Sequence, residues 1–236
     1  SVLILFLTFL LVNNNAILFM LTYQNTFIFD LDGVITETSE YHYKAWKIVC
    51  DKIGYNLTRK KNEELKGVNR KQCIELIMQW SNIQLSENEI NIYLEEKNNI
   101  YNGFIKNLNQ NDVCEGVLNF INEALKKNIK IALYSASRNA KKILCQLNII
   151  DLFTVIIDGN NVSNSKPDPE GFKIAADLTK TNTENCVVFE DSFYGIEGAN
   201  KLNMYTVGIG SKDVLNNANV VYKGFENLKI KDIINV

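Results

Sequence analysis

The chain has 236 residues, of which 46% are hydrophobic and 22% charged, enough for one large domain or one domain carrying an insertion. A net charge of −2 and a pI near 5.6 exclude a general binder of nucleic acid or acidic membranes, and leave an anionic substrate only through local positive charge. Cys50, Cys73, Cys114, Cys145 and Cys186 are odd in number and never spaced as a metal knuckle, which fits free thiols in a reducing cytoplasm.

The chain opens with SVLILFLTFLLV, an apolar run of twelve residues. A bilayer span needs roughly 20, and no Lys or Arg precedes Lys44 to form the basic flank of a signal peptide. The fold is therefore expected to begin near Met20, with residues 1–19 an upstream extension outside it and the protein cytoplasmic. A membrane anchor or export signal within the apolar segment 1–21 is the alternative. FIF at 27–29 then reads as a buried strand, being short, continuous and aromatic or β-branched. Side chains alternate along a strand, so Asp30 and Asp32 fall on the same side, and Gly33 turns the chain just after them. Two carboxylates at the end of a strand stand where open α/β sheets bind ligands.

A long helical stretch follows. SEYHYKAWKIVCDKIG is expected to bury Ala45, Ile48, Val49 and Ile53 on one face and to stop at Gly54. NRKQCIELIMQW and SENEINIYLEEKNNIYNGFIKNL are also helical in pattern. From about residue 112 helix and strand alternate: EGVLNFINEALKKN then IKIALYS, RNAKKILCQLN then FTVIID, PEGFKIAADLTK then NCVVFED, FYGIEGANKLN then MYTVGIG. Such alternation predicts an α/β fold with a doubly wound, Rossmann-like parallel sheet. Residues 20–36 and 111–236 form its core, and residues 37–110 an inserted α-helical cap over the carboxyl edge of the sheet.

Three further polar clusters close strands or the loops after them. IALYSAS ends in Ser135, Ala136 and Ser137, where a hydroxyl and backbone N–H groups at the next helix N-terminus make an anion site. SNSKPDPEGF places Lys166 in a loop, held extended by the proline after it. NCVVFEDS ends in Glu190 and Asp191. So many carboxylates repel one another without a cation, and Mg²⁺ with oxygen ligands is the natural partner. Magnesium, a lysine and hydroxyl donors together suit a phosphoryl group in transfer. Any one of these features also has a structural explanation, as a turn or a solvated loop residue. Four of them at strand ends in an alternating chain point to one site.

These segments resemble the haloacid dehalogenase superfamily of aspartate-nucleophile phosphotransferases: DLDGVIT matches its first motif, SAS its second, SKPDP its third and EDSFYGIEGA its fourth, over about residues 26–210. Within it, DGVITETSEYHYKAW and LKGVNR are similar to the β-phosphoglucomutase family. The resemblance implies that Asp30 is the nucleophile and Asp32 the general acid and base. Mg²⁺ would be held by Asp30, the Asp32 carbonyl and Asp191, with Glu190 assisting. Lys166, Ser135 and the Ala136 backbone would hold the transferring phosphate, with Ser137 and Asn139 beside it. His42, which shares a helix face with Trp46, would reach Asp32 and steer its protonation. Arg70 would grip the phosphate that is not being transferred, and Lys97 the sugar or its phosphate. Thr38, Leu65, Gly67, Val68 and Asn69 would line the hinge and the sugar site.

The chain departs from that pattern at Glu37, Asn69, Cys73 and Arg138, which stand where the family usually has Asp, Ser, Ser and Lys. The implied activity interconverts β-D-glucose 1-phosphate and glucose 6-phosphate through an aspartyl-phosphate and β-glucose 1,6-bisphosphate, in a monomer expected to bind a small phosphorylated sugar and neither nucleic acid nor membrane. A Mg²⁺-dependent sugar-phosphate phosphatase is the alternative. A non-catalytic member would have lost one of Asp30, Asp32, Lys166 or Asp191, and all four are present.

Overall fold

The computed structural model describes residues 26–234; the expectations for residues 1–19, for Met20 and for the core before Thr26 lie outside them. Among the described residues, no helix is long and apolar enough to cross a membrane. Six strands form one sheet: β1 (Thr26–Phe29), β2 (Lys130–Tyr134), β3 (Val155–Ile157), β4 (Cys186–Glu190), β5 (Tyr205–Ile209) and β6 (Val220–Tyr222). Every pairing is parallel and the order is β3-β2-β1-β4-β5-β6. This is the doubly wound arrangement, whose order reverses between β1 and β4.

The continuous apolar runs of the central strands follow from burial on both faces. Phe27 and Phe29 face one layer, stacked or edge-on with Phe120, Phe189 and Phe225. Helices α5 (Val117–Lys126) and α6 (Ala140–Gln146) complete that side. Ile28 faces the other layer with Ala132, Tyr134 and Val188, under α7 (Glu170–Thr179) and the Ala199 end of α8 (Phe193–Asn200). By the same alternation Asp30, Glu190 and Tyr134 share the second face.

Between β1 and α5 the chain forms four α-helices: α1 (Ser39–Lys52), α2 (Arg59–Glu63), α3 (Arg70–Ser81) and α4 (Glu87–Ile105). They enclose their own core of Trp46, Val49, Cys50, Leu57, Leu65, Cys73, Ile74 and Ile77. Ala45 of α1 and Tyr101 and Ile105 of α4 join the sheet-side core instead, which roots the insert on the strand ends. Local signals set the boundaries. Ser86 and Glu89 make a capping box at the start of α4, Asn69 caps Gln72 N–H at 2.9 Å, and Gly54 follows α1 at φ +78°.

One expected face is corrected. Ile48 is 39% exposed, and Trp46 and Cys50 take the buried positions beside Ala45 and Val49. The 3.6-residue repeat fixes which residues share a face, but α1 packs on α4 and shares its core with residues of α3, so its buried arc is turned toward Trp46 and away from Ile48. The short β6, α2 and a terminal α9 (Lys231–Ile234) were not expected from the sequence, being too brief for a periodic signal.

Candidate active site

The turn after β1 is set by its backbone. Gly33 N–H donates to Thr36 O at 2.8 Å and Ile35 N–H to Leu31 O at 2.9 Å, while Leu31, Val34 and Ile35 are fully buried. Gly33 sits at φ +89°, and a Cβ there would lie 2.4 Å from Asp191 Oδ2. Only glycine allows both the turn and the close approach of that carboxylate.

Asp30, 7% exposed, accepts a 2.5 Å bond from Lys166 Nζ. The lysine backbone lies in a loop, as expected, but its side chain is fully buried; Nζ also donates to Glu190 Oε1 and, at 3.2 Å, to Tyr134 O. Burial works against this ammonium, but Asp30 and Glu190 outweigh burial and raise its pKa. Glu190 Oε2 accepts from Ser192 N–H at 3.0 Å and Ser192 Oγ at 2.8 Å, so both its oxygens are held away from the cavity. Asp191 pairs with Lys66 Nζ at 3.0 Å. Burial lifts the Asp191 carboxyl to about 7, with Glu190 and Asp32 adding to the rise and Lys66 opposing it. Burial likewise pushes Asp30 up, against Lys166 and with the neighbouring carboxylates.

Asp32 behaves differently. Burial raises it, but His42 and hydrogen bonds from His42, Thr38 and Tyr101 outweigh that and hold it at about 2. Thr38 Oγ1 donates at 2.6 Å and Tyr101 Oη at 3.2 Å, with His42 Nε2 at 3.3 Å, all three to Oδ1. Thr38 is the N-cap residue of α1, yet its hydroxyl caps no backbone N–H because it serves Asp32. His42 stacks on Tyr101 at 4.0 Å, and its Nδ1 lies 2.6 Å from Lys97 Nζ. An ammonium can only donate, so with Lys97 protonated the imidazole proton sits on Nε2 and points at Asp32. Burial and Lys97 push the His42 pKa down, and burial lowers Lys97 to about 7.

A cavity of about 540 Å³ joins these groups, lined among others by Asp30, Asp32, His42, Trp46, Lys97, Ser135 and Asp191. Leu65, Gly67, Val68, Asn69, Arg70, Ala136 and Ser137 line it too, as does Cys73. Glu190 and Lys166 lie behind its wall and Thr38 beneath Asp32. Asn139 is tied to the insert, its Nδ2 donating to Asn98 Oδ1 at 3.2 Å; the same oxygen accepts from Arg70 Nη2 at 2.7 Å.

In the loop after β2, two backbone donors are taken by side-chain hydroxyls. Ser137 N–H donates to Ser135 Oγ at 3.1 Å and Asn139 N–H to Ser137 Oγ at 3.3 Å, so these donors are engaged within the loop. Ser135 Oγ thus accepts from the backbone and keeps its own proton to donate outward.

Four residues not assigned from the sequence belong to the site. Tyr101 lies four residues after Lys97, on the same face of α4, a spacing that could have found it. Lys66 sits inside LKGVNR, next to Gly67. Asn98 bridges Arg70 and Asn139 and had no signal of its own. Arg138, noted only as a departure, lines the cavity; burial and its charge push the Arg70 pKa down.

Among the described residues, no three His, Cys, Asp or Glu side chains form a ready metal cage. The donor set still fits a hydrated Mg²⁺, which is commonly held by one or two carboxylates and keeps several waters. Asp30 and Asp191 both face the cavity, and burial first, then the neighbouring carboxylates, disfavours their ionised forms, an effect a bound cation would offset.

The family model for haloacid dehalogenase-like hydrolases matches residues 27–209. β-Phosphoglucomutase of Bacillus subtilis (strain 168) is 36% identical over 206 residues, covering 86% of this chain and 91% of that protein. A phosphorylated carbohydrates phosphatase of Thermotoga maritima is 31% identical over 175 residues, covering 73% of this chain and 78% of its own. Among solved structures, a β-phosphoglucomutase from Clostridium difficile superposes with a TM-score of 0.85 at 39% identity, covering 89% of this chain and 96% of its own.

Proposed function

The chain belongs to the haloacid dehalogenase-like hydrolase family, and from that premise we propose that it is a phosphomutase interconverting β-D-glucose 1-phosphate and glucose 6-phosphate through β-glucose 1,6-bisphosphate. The observation that carries this reading is a single cavity lined by two unlike sets of groups. Asp30 and Ser135 line it on the strand side, and Arg70 with Arg138 lines it where the insert meets the core. A mutase needs both, because a bisphosphate must present either phosphate to the nucleophile while the other is held elsewhere.

In this reading residues 37–110 act as a cap over the core. Asp30 attacks a phosphoryl group of the bound sugar phosphate and carries it as an aspartyl-phosphate, while the P–O bond to the sugar breaks and the departing sugar oxygen takes its proton from Asp32 in its acid form, which leaves Asp32 ionised for the return transfer. Lys166 orients Asp30 and offsets its charge, while the Ser135 hydroxyl donates to the phosphoryl oxygens. Asp32, held ionised, is in the base form and ready to accept the proton of the attacking sugar hydroxyl. His42, Tyr101 and Lys97 reach or adjust Asp32 from the insert, so the base is fully ordered only with the insert seated on the core. That arrangement favours transfer to a bound sugar over transfer to water. Asp30, Asp191 and the Asp32 carbonyl would hold Mg²⁺, with Glu190 supporting them through Lys166 and Ser192. When bound, the ion would supply positive charge at the transferring phosphate. Arg70 and Arg138, two cations brought close together, are relieved by an anion between them.

The similarity to the Thermotoga maritima phosphatase favours a second reading, hydrolysis of sugar phosphates through the same aspartyl intermediate. A coupled assay on β- and α-glucose 1-phosphate, with and without glucose 1,6-bisphosphate and Mg²⁺, separates the two. The mutase reading expects glucose 6-phosphate from the β anomer, stimulated by bisphosphate. Release of inorganic phosphate with no isomerisation would establish the phosphatase.

A further inference from the structure

Lys66 Nζ lies 3.0 Å from Asp191 Oδ2 and 3.1 Å from Glu63 Oε2. Its side chain is 24% exposed and lines the cavity. Asp191 belongs to the core, Lys66 and Glu63 to the insert, so the ion pair spans the two. The contact is set by the next residue. Gly67 sits at φ +78° with its Cα so close to the core that a Cβ would lie 2.7 Å from Ser192 Oγ, beside Asp191 in the chain. Asn69 N–H adds a 3.1 Å bond to Ser165 Oγ, which itself bonds Gln72. Loop 65–69 is thus pressed onto the core at the place where Asp191 faces the cavity.

The charges of this region are unevenly shared. Lys166 is committed to Asp30 and Glu190. Asp191 has Lys66 as its cation, and the oxygen concerned, Oδ2, is also the one packed against Gly33. An ammonium on that oxygen and a divalent cation on the same carboxylate repel each other at short range. Glu63 offers Lys66 a second carboxylate already within reach.

We propose that Lys66 is a tethered counter-cation that competes with a divalent metal ion for Asp191 and shifts onto Glu63 when displaced, so that metal loading and seating of loop 65–69 on the core are coupled. This rests on the proposed function in one respect, that Asp191 is a metal ligand. Coupling of this kind is reciprocal: whatever seats the loop weakens metal binding, and the metal loosens the loop by the same factor. Other contacts at the seam, Asn69 with Ser165 and Asn98 with Asn139, carry no charge opposed to the metal.

The test is a calorimetric titration of the full chain with MgCl₂. Lys66→Met is expected to bind Mg²⁺ more tightly than wild type, by about fivefold or more, the lower end of typical coupling. Glu63→Gln is expected to bind it more weakly, because displaced Lys66 then has no partner. The double variant should match Lys66→Met, and Lys66→Arg should resemble wild type. In small-angle scattering without Mg²⁺, Lys66→Met should be more expanded than wild type. Equal or weaker Mg²⁺ affinity in Lys66→Met overturns the proposal, as does tighter or unchanged binding in Glu63→Gln. Asp191→Asn distinguishes the two levels. If it abolishes Mg²⁺ binding while Lys66→Met changes nothing, the competition alone is refuted. If it binds Mg²⁺ like wild type, the metal assignment falls and the competition with it.

Discussion

Asp32 Oδ1 accepts from Thr38, Tyr101 and His42 at once, a set drawn from the loop before α1, from α4 and from α1 itself. Thr38 shows the cost of that convergence. An N-cap threonine normally contributes about 1 kcal/mol through its bond to the helix N-terminus, and here the hydroxyl is turned to Asp32 instead. Thr38→Val should therefore lower turnover and raise the Asp32 pKa, read as a shifted acidic limb in the pH profile of kcat/KM; a loss of stability with an unchanged pH profile would show that the hydroxyl caps α1 after all. Asp30→Asn should abolish turnover with the fold intact, since only the charge of the proposed nucleophile is removed. A phosphorylated enzyme detected by mass spectrometry in that variant would contradict the assignment. Arg70 separates its two possible duties. Loss of a charge-assisted contact costs about 1.5–3 kcal/mol, so Arg70→Ala should slow the proposed mutase turnover roughly tenfold or more. Hydrolysis of acetyl phosphate, which has no second phosphate, should hardly change. Equal damage to both reactions would mean that Arg70 is structural, holding Asn98.

Helix α1 carries two jobs on opposite ends of one amphipathic face. Its middle packs Trp46, Val49 and Cys50 into the insert core, and its first turn sends His42 toward Asp32. The turned face makes a direct stability test. Ile48→Ser, at an exposed position, should change unfolding free energy by no more than about 0.5 kcal/mol, whereas Ile74→Ala on α3, fully buried in the same core, should cost about 2–5 kcal/mol. Urea unfolding followed by tryptophan fluorescence reads both, and a large loss from Ile48→Ser would restore the face expected from periodicity alone. The same element-level logic explains the turn after β1. Gly33→Ala adds a methyl at φ +89° against Asp191, so it should destabilise the protein by about 1–3 kcal/mol and disturb the cavity together.

At the scale of the whole molecule, the site is a seam between two cores. The sheet supplies Asp30, Ser135, Lys166 and Asp191 from the ends of four strands and the loops after them, around the point where strand order reverses. The insert supplies Arg70, Lys97, His42 and Lys66, and is rooted through Ala45, Tyr101 and Ile105 in the sheet-side core. Across the seam, Ser165 ties Asn69 and Gln72 to the core loop that holds Lys166. Ser165→Ala should loosen this docking without touching Asp30, raising KM more than it lowers kcat and enlarging the radius of gyration in the absence of substrate. An unchanged KM and an unchanged scattering profile would show that the seam is held elsewhere.

Much of this was legible in the chain alone, because much of it is local. The period of apolar residues gives strands and helices, their alternation gives a parallel doubly wound sheet, and strand alternation puts Asp30 and Asp32 together at a strand end. Ser86 with Glu89 and Gly54 mark helix ends for reasons contained within a few residues. What the chain order could not give is distance between residues far apart in it. Lys166 and Asp30 are 136 positions apart and Lys66 and Asp191 are 125 apart, and nothing local in either segment says that they meet. The buried face of α1, the loop donors turned inward at Ser135, and the pairing of Asn98 with both Arg70 and Asn139 are likewise products of packing. Periodicity determines which side chains share a surface; only the tertiary fold, by closing one core against the other, decides what that surface touches.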